Sequence, residues 1–321
     1  MKVMKFGGTS VGSPERMKHV AHLVTKSAMA GTTNSLIEIS NYLYKKNPEG
    51  ANEVINLLEA KYFGHVDELY STDEYKNITR DFLRQEFQYL RSFTKELFTS
   101  FEEKSIVAQG EIISTNMVVN YLKETGINAI LLSAFDFMRT DKNSEPDSEY
   151  IKEKLANVMK QNEGYQVYVT QGFICRNAYG EVDNLLRGGS DYSASLIGAA
   201  LSADEIQIWT DIDGMHNNDP RIVDDTEAVH QLNFEEAAEL AYFGAKILHP
   251  TCVQPAKFAG IPVRLLNTMD PDAHGTIIDN VIMRGKIKAV AAKDNITAIK
   301  IKSSRMLLAT GFLRKIFEIF E

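Results

Sequence analysis

The sequence is poor in the features that mark several protein classes. Its two cysteines, Cys175 and Cys252, lie far apart and match no metal or redox spacing. That excludes a disulfide framework and fits reduced thiols in a cytoplasmic protein. No apolar run approaches the ~18 residues of a membrane span. The opening Met1-Lys2-Val3-Met4-Lys5-Phe6 carries no apolar leader region. Basic residues are outnumbered, with 35 Lys and Arg against 43 Asp and Glu and a net charge of −8. Such a surface argues against nucleic acid and anionic membrane as partners, while leaving room for a local basic pocket. The seven histidines show no metal spacing. There is no G-x-x-x-x-G-K-[ST] phosphate loop and no G-x-G-x-x-G fingerprint. Neither Gly nor Pro occurs between His65 and Gln109, and no repeat or low-complexity tract interrupts the chain.

What remains is an ordinary globular composition over 321 residues, 44% hydrophobic and 24% charged. This length suits two domains or one large α/β domain. A strand is predicted over Lys2 to Phe6, then a Gly-rich turn, then a helix opened by Ser13 as N-cap and Pro14. The Gly- and Pro-free tract predicts two or three helices jointed at Ser71-Thr72-Asp73, a helical insertion in an otherwise alternating chain. Strands are predicted at Ala129 to Leu132, Gln166 to Thr170, Ile206 to Trp209 and Val263 to Leu266, with helices near Ser148 to Lys160, Tyr192 to Ala200 and Phe234 to Phe243. Such alternation implies a mainly parallel sheet covered on both faces, with binding loops at the carboxyl ends of the strands. Beyond Lys286 the pattern reads strand, strand, helix. Thr297, Ile299 and Ile301 share one face, and Arg305 to Phe320 reads as helix.

Three Gly- or Asp-rich loops carry the chemistry. Lys5-Phe6-Gly7-Gly8-Thr9-Ser10 sets a lysine at a strand end before two glycines, where backbone N–H groups approach a phosphate and a cation neutralises it. Arg187-Gly188-Gly189-Ser190-Asp191 precedes a helix; arginine suits two-point capture of a carboxylate. Thr210-Asp211-Ile212-Asp213-Gly214, closing at Asn218-Asp219-Pro220-Arg221, could hold a nucleotide and its metal. Taken singly, each is equally a solvated turn. Glu111 by itself reads as a helix-face glutamate, and Lys246 as a helix-end cation.

In combination these blocks resemble the aspartokinases. Lys5 to Gly12 is similar to their signature, and Arg187 to Tyr192, Trp209 to Arg221 and Glu239 to Lys246 follow in the same order. The resemblance implies the amino-acid kinase fold, a three-layer αβα sandwich on a mainly parallel sheet, with residues 1–285 catalytic and 286–321 the start of an ACT-like regulatory segment. It implies ATP-dependent phosphorylation of the L-aspartate side chain to 4-phospho-L-aspartate, the first step toward lysine, threonine and methionine, with Mg²⁺. Lys5, Asp191 and Lys246 are then the catalytic residues. Thr33, Glu111, Arg187, Gly188, Gly189 and Ser190 bind aspartate. Lys5, Phe6, Gly7, Gly8, Thr210, Asp211, His216, Arg221, Lys246 and Ile247 bind ATP. Many relatives have tyrosine at the place of His216. The rival readings are another amino-acid kinase, for glutamate, acetylglutamate or carbamate, and a non-catalytic effector-binding protein.

The chain departs from the family twice. Relatives carry an apolar strand before the Ser27-Ala28-Met29-Ala30-Gly31-Thr32-Thr33-Asn34 loop, whereas here Lys26 runs almost directly into Ser27. The tail matches only the first strand and helix of an ACT domain. Dimerisation through ACT domains and feedback by lysine or threonine are implied only where that region is complete. A chain ending at Glu321 is expected to escape such inhibition, since half a site gives little differential affinity between two states.

Overall fold

The computed structural model describes residues 1–8, 10–23, 32–95, 97–185, 188–243, 248–283, 287–292, 295–302 and 310–320. The chain divides into two compact units, Met1–Ala291 and Ala292–Glu321.

In the first unit, strand β1 (Lys2–Phe6) leads through the glycine turn into helix α1 (Pro14–Leu23). Ser13 Oγ accepts the Arg16 N–H at 3.3 Å, so the predicted cap forms. Four long helices follow: α2 (Thr32–Tyr44), α3 (Pro48–Leu69), α4 (Asp73–Ser92) and α5 (Ser100–Glu124). Their starts are encoded locally. Asn47 caps α3 through the Gly50 N–H at 3.0 Å, with Pro48 in the first turn. Thr99 and Glu102 form a capping box at α5, where the Thr99 N–H donates to Glu102 Oε2 at 2.8 Å. Leu83, Phe87 and Leu90 lie three to four residues apart on α4 and are buried. They join Ile39, Ile55 and Tyr62 in a cluster that also holds Phe6, Met17 and Trp209. The helical layer therefore shares one core with the sheet.

The alternating part runs β2 (Ala129–Leu132), α6 (Ser148–Gln161), β3 (Val167–Thr170), a hairpin of β4 (Ile174–Arg176) and β5 (Val182–Asn184), α7 (Gly189–Leu201), β6 (Glu205–Thr210), β7 (Gln231–Asn233), α8 (Phe234–Phe243), α9 (Gln254–Ala259), β8 (Val263–Asn267) and β9 (Thr276–Asp279). One mixed sheet has the order β1-β6-β8-β9-β7, with β1, β6 and β8 parallel and β9 antiparallel to β8. β2 and β3 form a separate parallel pair. Between β1 and β3 lies a cavity of about 320 Å³, lined by Met1 to Phe6, by Tyr165 to Gly172 and by Ala194, Ile197 and Leu201 of α7. Among the described residues no strand occurs between α1 and α2, so β1 and β3 face each other without pairing. Helix α7 runs along this gap, lining the cavity together with β1 and β3.

The tail corrects an expectation. Ile296 to Lys302 has strand-like alternation but forms no strand, and Ile296, Ile299 and Ile301 are exposed. A strand needs a neighbour for its backbone groups, and alternation alone supplies none. The predicted helix over Arg305 to Phe320 is seen as α10 (Phe312–Phe317), and residues 303–309 lie outside the described residues.

A shared core predicts shared unfolding. Ile55→Ala in α3 is expected to cost about 2–5 kcal/mol, seen as a lower urea midpoint. Helix-sensitive circular dichroism and Trp209 fluorescence should shift together. An early helical transition that leaves Trp209 unmoved would show that the layers are independent.

Candidate active site

The parallel arrangement collects the carboxyl ends of β1, β6 and β8 at one edge. Register places Lys5 beside Ile208 and Phe6 beside Trp209. The Phe6 and Trp209 rings stack at 5.5 Å, fixing the strand end just before Gly7-Gly8. Ser10 closes that turn: its N–H donates to Gly7 O at 2.9 Å and its buried hydroxyl bonds Thr268 Oγ1 at 2.6 Å and Trp209 O at 3.3 Å. The glycine turn is thus tied to the carboxyl ends of β6 and β8.

Lys5 reaches across to α7. Its Nζ lies 2.6 Å from Asp191 Oδ1, each side chain 16% exposed. Asp191 sits in the first turn of α7, where the helix dipole favours a carboxylate. Gly188 precedes α7 with φ 75°, and a Cβ there would lie 1.7 Å from Cys252 Sγ. This position therefore needs glycine both for its backbone and for its space. Burial pushes the Cys252 thiol up to about 12, aided by the Asp191 charge, and Cys175 is likewise pushed up to about 12. Both cysteines stay protonated at neutral pH.

Buried contacts run from the main chain of α5 at Glu111 towards this turn. Thr115 Oγ1 donates to Glu111 O at 2.7 Å, and Gln171 Nε2 donates to Thr115 Oγ1 at 3.1 Å. The next residue, Gly172, lies so close to Ser190 that a Cβ would come within 2.7 Å of the serine Cβ. Glu111, half-buried on α5, is thereby linked to the Gly188–Ser190 turn. Thr33 is exposed at the start of α2, while Thr32 is buried and bonds the Tyr62 hydroxyl at 2.8 Å. Burial raises the Tyr62 phenol, and the Glu111 charge adds to the shift.

The loop after β6 contains the remaining acidic residues. Thr210 Oγ1 donates to Asp211 Oδ1 at 3.1 Å, and Thr210 O accepts the Thr268 N–H at 2.8 Å. His216 lies 2.6 Å from Asp213 Oδ1 and 2.8 Å from Thr226 Oγ1. Arg221 grips Asp219 through Nε and Nη2 and holds its carboxyl at about 2. Among the described residues no group of three or more His, Cys, Asp or Glu is placed to hold a metal. Arg187, Lys246 and Ile247 lie outside the described residues.

Sequence reasoning missed Phe173, Thr115, Gln171, Ser10 and Thr268. Phe173 has φ 70°, rare for a bulky residue, and its ring would touch a Cβ on Gly189 at 2.9 Å. Its signal was the Gly172 that follows a strand-forming run. The others are polar residues paired across more than 50 positions, with no local signature.

The model of the amino acid kinase family matches residues 1–267. Aspartokinase 1, chloroplastic, of Arabidopsis thaliana is 36% identical, covering 99% of this chain and 59% of its own length. Lysine-sensitive aspartokinase 3 of Escherichia coli is 33% identical, covering 99% of this chain and 73% of its own. The crystal structure of E. coli aspartokinase III with aspartate and ADP superposes with a TM-score of 0.79 at 33% identity, covering 88% of this chain and 65% of that one. The chain thus spans about 59% of the first curated relative.

The site generates two predictions. Gly188→Ala is expected to lower the melting temperature, because the methyl group displaces Cys252 and with it the turn that presents Asp191; an unchanged melting temperature would refute this. The second concerns Asp219, whose depressed carboxyl keeps its pairing with Arg221 above the ordinary pKa and loses it only as pH falls towards about 2. Both groups face solvent, so the pair adds little stability and weakens with salt. A carboxyl NMR titration should find the Asp219 midpoint near 2, rising in Arg221→Ala but staying below the ordinary ~3.9, because the residue-221 N–H still donates to Asp219 Oδ1. An unshifted midpoint in the parent protein would exclude the pairing.

Proposed function

The chain belongs to the amino acid kinase family, among its aspartokinases, and from that premise we propose that it transfers the γ-phosphoryl group of ATP to the side-chain carboxylate of L-aspartate, giving 4-phospho-L-aspartate. The observation that carries this reading is the Lys5–Asp191 pair held between two glycine turns. A cation oriented at a strand end, beside backbone donors, suits a phosphoryl group in transit.

The chemistry needs no general base. An aspartate side chain has a reference pKa of ~3.9 and is already ionised at neutral pH. Its oxygen forms the new bond to the γ-phosphorus as the bond to the β,γ-bridging oxygen breaks. ADP leaves with that electron pair, and no proton is transferred. The barrier lies in bringing an anion to a polyanion in line. Lys5 offsets the repulsion, and Asp191 holds the lysine in place. Glu111 would take the substrate α-ammonium and Arg187 its α-carboxylate, with Gly188 to Ser190 as backbone donors and Thr33 at the pocket rim. Gly7 and Gly8 would face the phosphates, while Thr210, Asp211, His216, Arg221, Lys246 and Ile247 would hold the nucleotide. Mg²⁺ prefers phosphate and water oxygens to an all-protein cage, so it would arrive on ATP and supply charge neutralisation there. Feedback by lysine or threonine and self-association belong to the same proposal and depend on the segment that includes residues 292–321.

An ATP-dependent aspartyl-hydroxamate assay with an amino-acid panel tests the reaction and separates it from a glutamate or acetylglutamate kinase. Lys5→Ala is expected to lower kcat by about 10²–10³-fold, while the KM for aspartate changes little. A near-normal kcat would remove Lys5 from the transfer step. Arg187→Lys should raise the KM for aspartate by roughly tenfold or more, since lysine keeps the charge but loses the planar two-point grip. A raised KM for ATP alone would assign Arg187 to the other pocket.

A further inference from the structure

Two charged residues outside the site join the elements that carry its two substrate-binding arms. Lys104 Nζ on α5 lies 2.7 Å from Asp183 Oδ1 on β5, with the side chains 33% and 12% exposed. Lys104 precedes Glu111 by seven residues, two helical turns, so both lie on the same face of α5. Asp183 precedes Gly188 by five residues. The pair thus bridges the helix that presents Glu111 and the strand that leads into the Gly188–Gly189 turn.

The surroundings make this contact stiff. Asp183 stands opposite Cys175 in the β4–β5 register, and its Oδ1 also accepts the Asn184 N–H at 2.7 Å. Beneath it, Ala108, Ile174, Cys175 and Leu185 belong to one buried cluster. The base of the hairpin is closed by the Leu185 N–H on Phe173 O at 2.8 Å. An anion so enclosed fixes its partner, because sliding α5 along β5 would separate the charges over an apolar floor.

We propose that Lys104 and Asp183 form a positioning pair that sets the distance between Glu111 and the Gly188–Gly189 turn, and through it the grip on the two α-groups of the amino acid. This rests on the aspartokinase reading above, in which Glu111 and that turn hold the two α-groups of the substrate. Neither residue touches the substrate. The pair acts on ground-state and transition-state binding alike, so its loss falls on KM for the amino acid.

The test compares Lys104→Met, Asp183→Asn, Lys104→Arg and the charge-swapped Lys104→Asp/Asp183→Lys in the hydroxamate assay, with melting temperatures measured alongside. Lys104→Met and Asp183→Asn are expected to raise KM for aspartate by about tenfold, with KM for ATP and kcat within about twofold. Lys104→Arg and the swap should recover most of the loss. Asp183→Asn leaves no buried unpaired carboxylate, so it keeps the test valid where Lys104→Met folds poorly. A lowered melting temperature with unchanged KM for aspartate would overturn the proposal, as would parallel rises in both KM values. A parent protein that makes no aspartyl hydroxamate would refute the functional reading itself. An active parent with unmoved variants refutes only the positioning role.

Discussion

The contact between Lys5 and Asp191 is the constraint on which the rest of the site depends. It joins the second-last residue of the first strand to the first turn of a helix 186 positions later. For the two groups to meet, β1 must pair in parallel with β6, and α7 must lie along that edge with its N-terminus at the carboxyl ends of the strands. The helix dipole favours the carboxylate and the carboxylate favours the lysine, so fold and charge placement support each other. Neither side chain is deeply buried, which limits the desolvation cost and leaves the lysine within reach of an incoming anion.

Around this pair the fold uses glycine where other residues would be excluded. Gly188 leaves room for Cys252 and adopts a left-handed conformation, and Gly172 admits Ser190. These close approaches let the loops after β1, β3 and β5 converge. Two buried pairs, Ser10 with Thr268 and Gln171 with Thr115, then satisfy polar groups across the junction. Such pairs give the site rigidity without a dedicated metal or disulfide among the described residues.

The sheet is held differently from a continuous parallel sheet. β2 and β3 pair only with each other, and a cavity separates β3 from β1. Continuity across that gap comes from α7 and from the helical layer, whose core includes Phe6 and Val169 from either side. Apolar contact is non-directional and can span a break in hydrogen bonding. This explains how the site edge is kept although the two strand groups do not pair. Among the described residues of the tail, the alternating Ile296 to Lys302 belongs to no sheet.

Local chemistry was enough to determine much of this protein from its sequence. The strand before Gly7-Gly8, the cap at Ser13, the helical tract and the order of the glycine- and aspartate-rich loops all follow from neighbours a few residues apart. The same blocks, taken together, carried the family resemblance. Tertiary structure alone decided which of them meet. Lys5 with Asp191, Ser10 with Thr268, Gln171 with Thr115 and Lys104 with Asp183 are pairings between residues 56 to 258 positions apart. Nothing in a local pattern specifies such partners, because they are set by strand register and helix packing over the whole core. The tail makes the same point in reverse: alternation suggested a strand over Ile296 to Lys302, and among the described residues none forms there, because a strand needs a partner for its backbone groups.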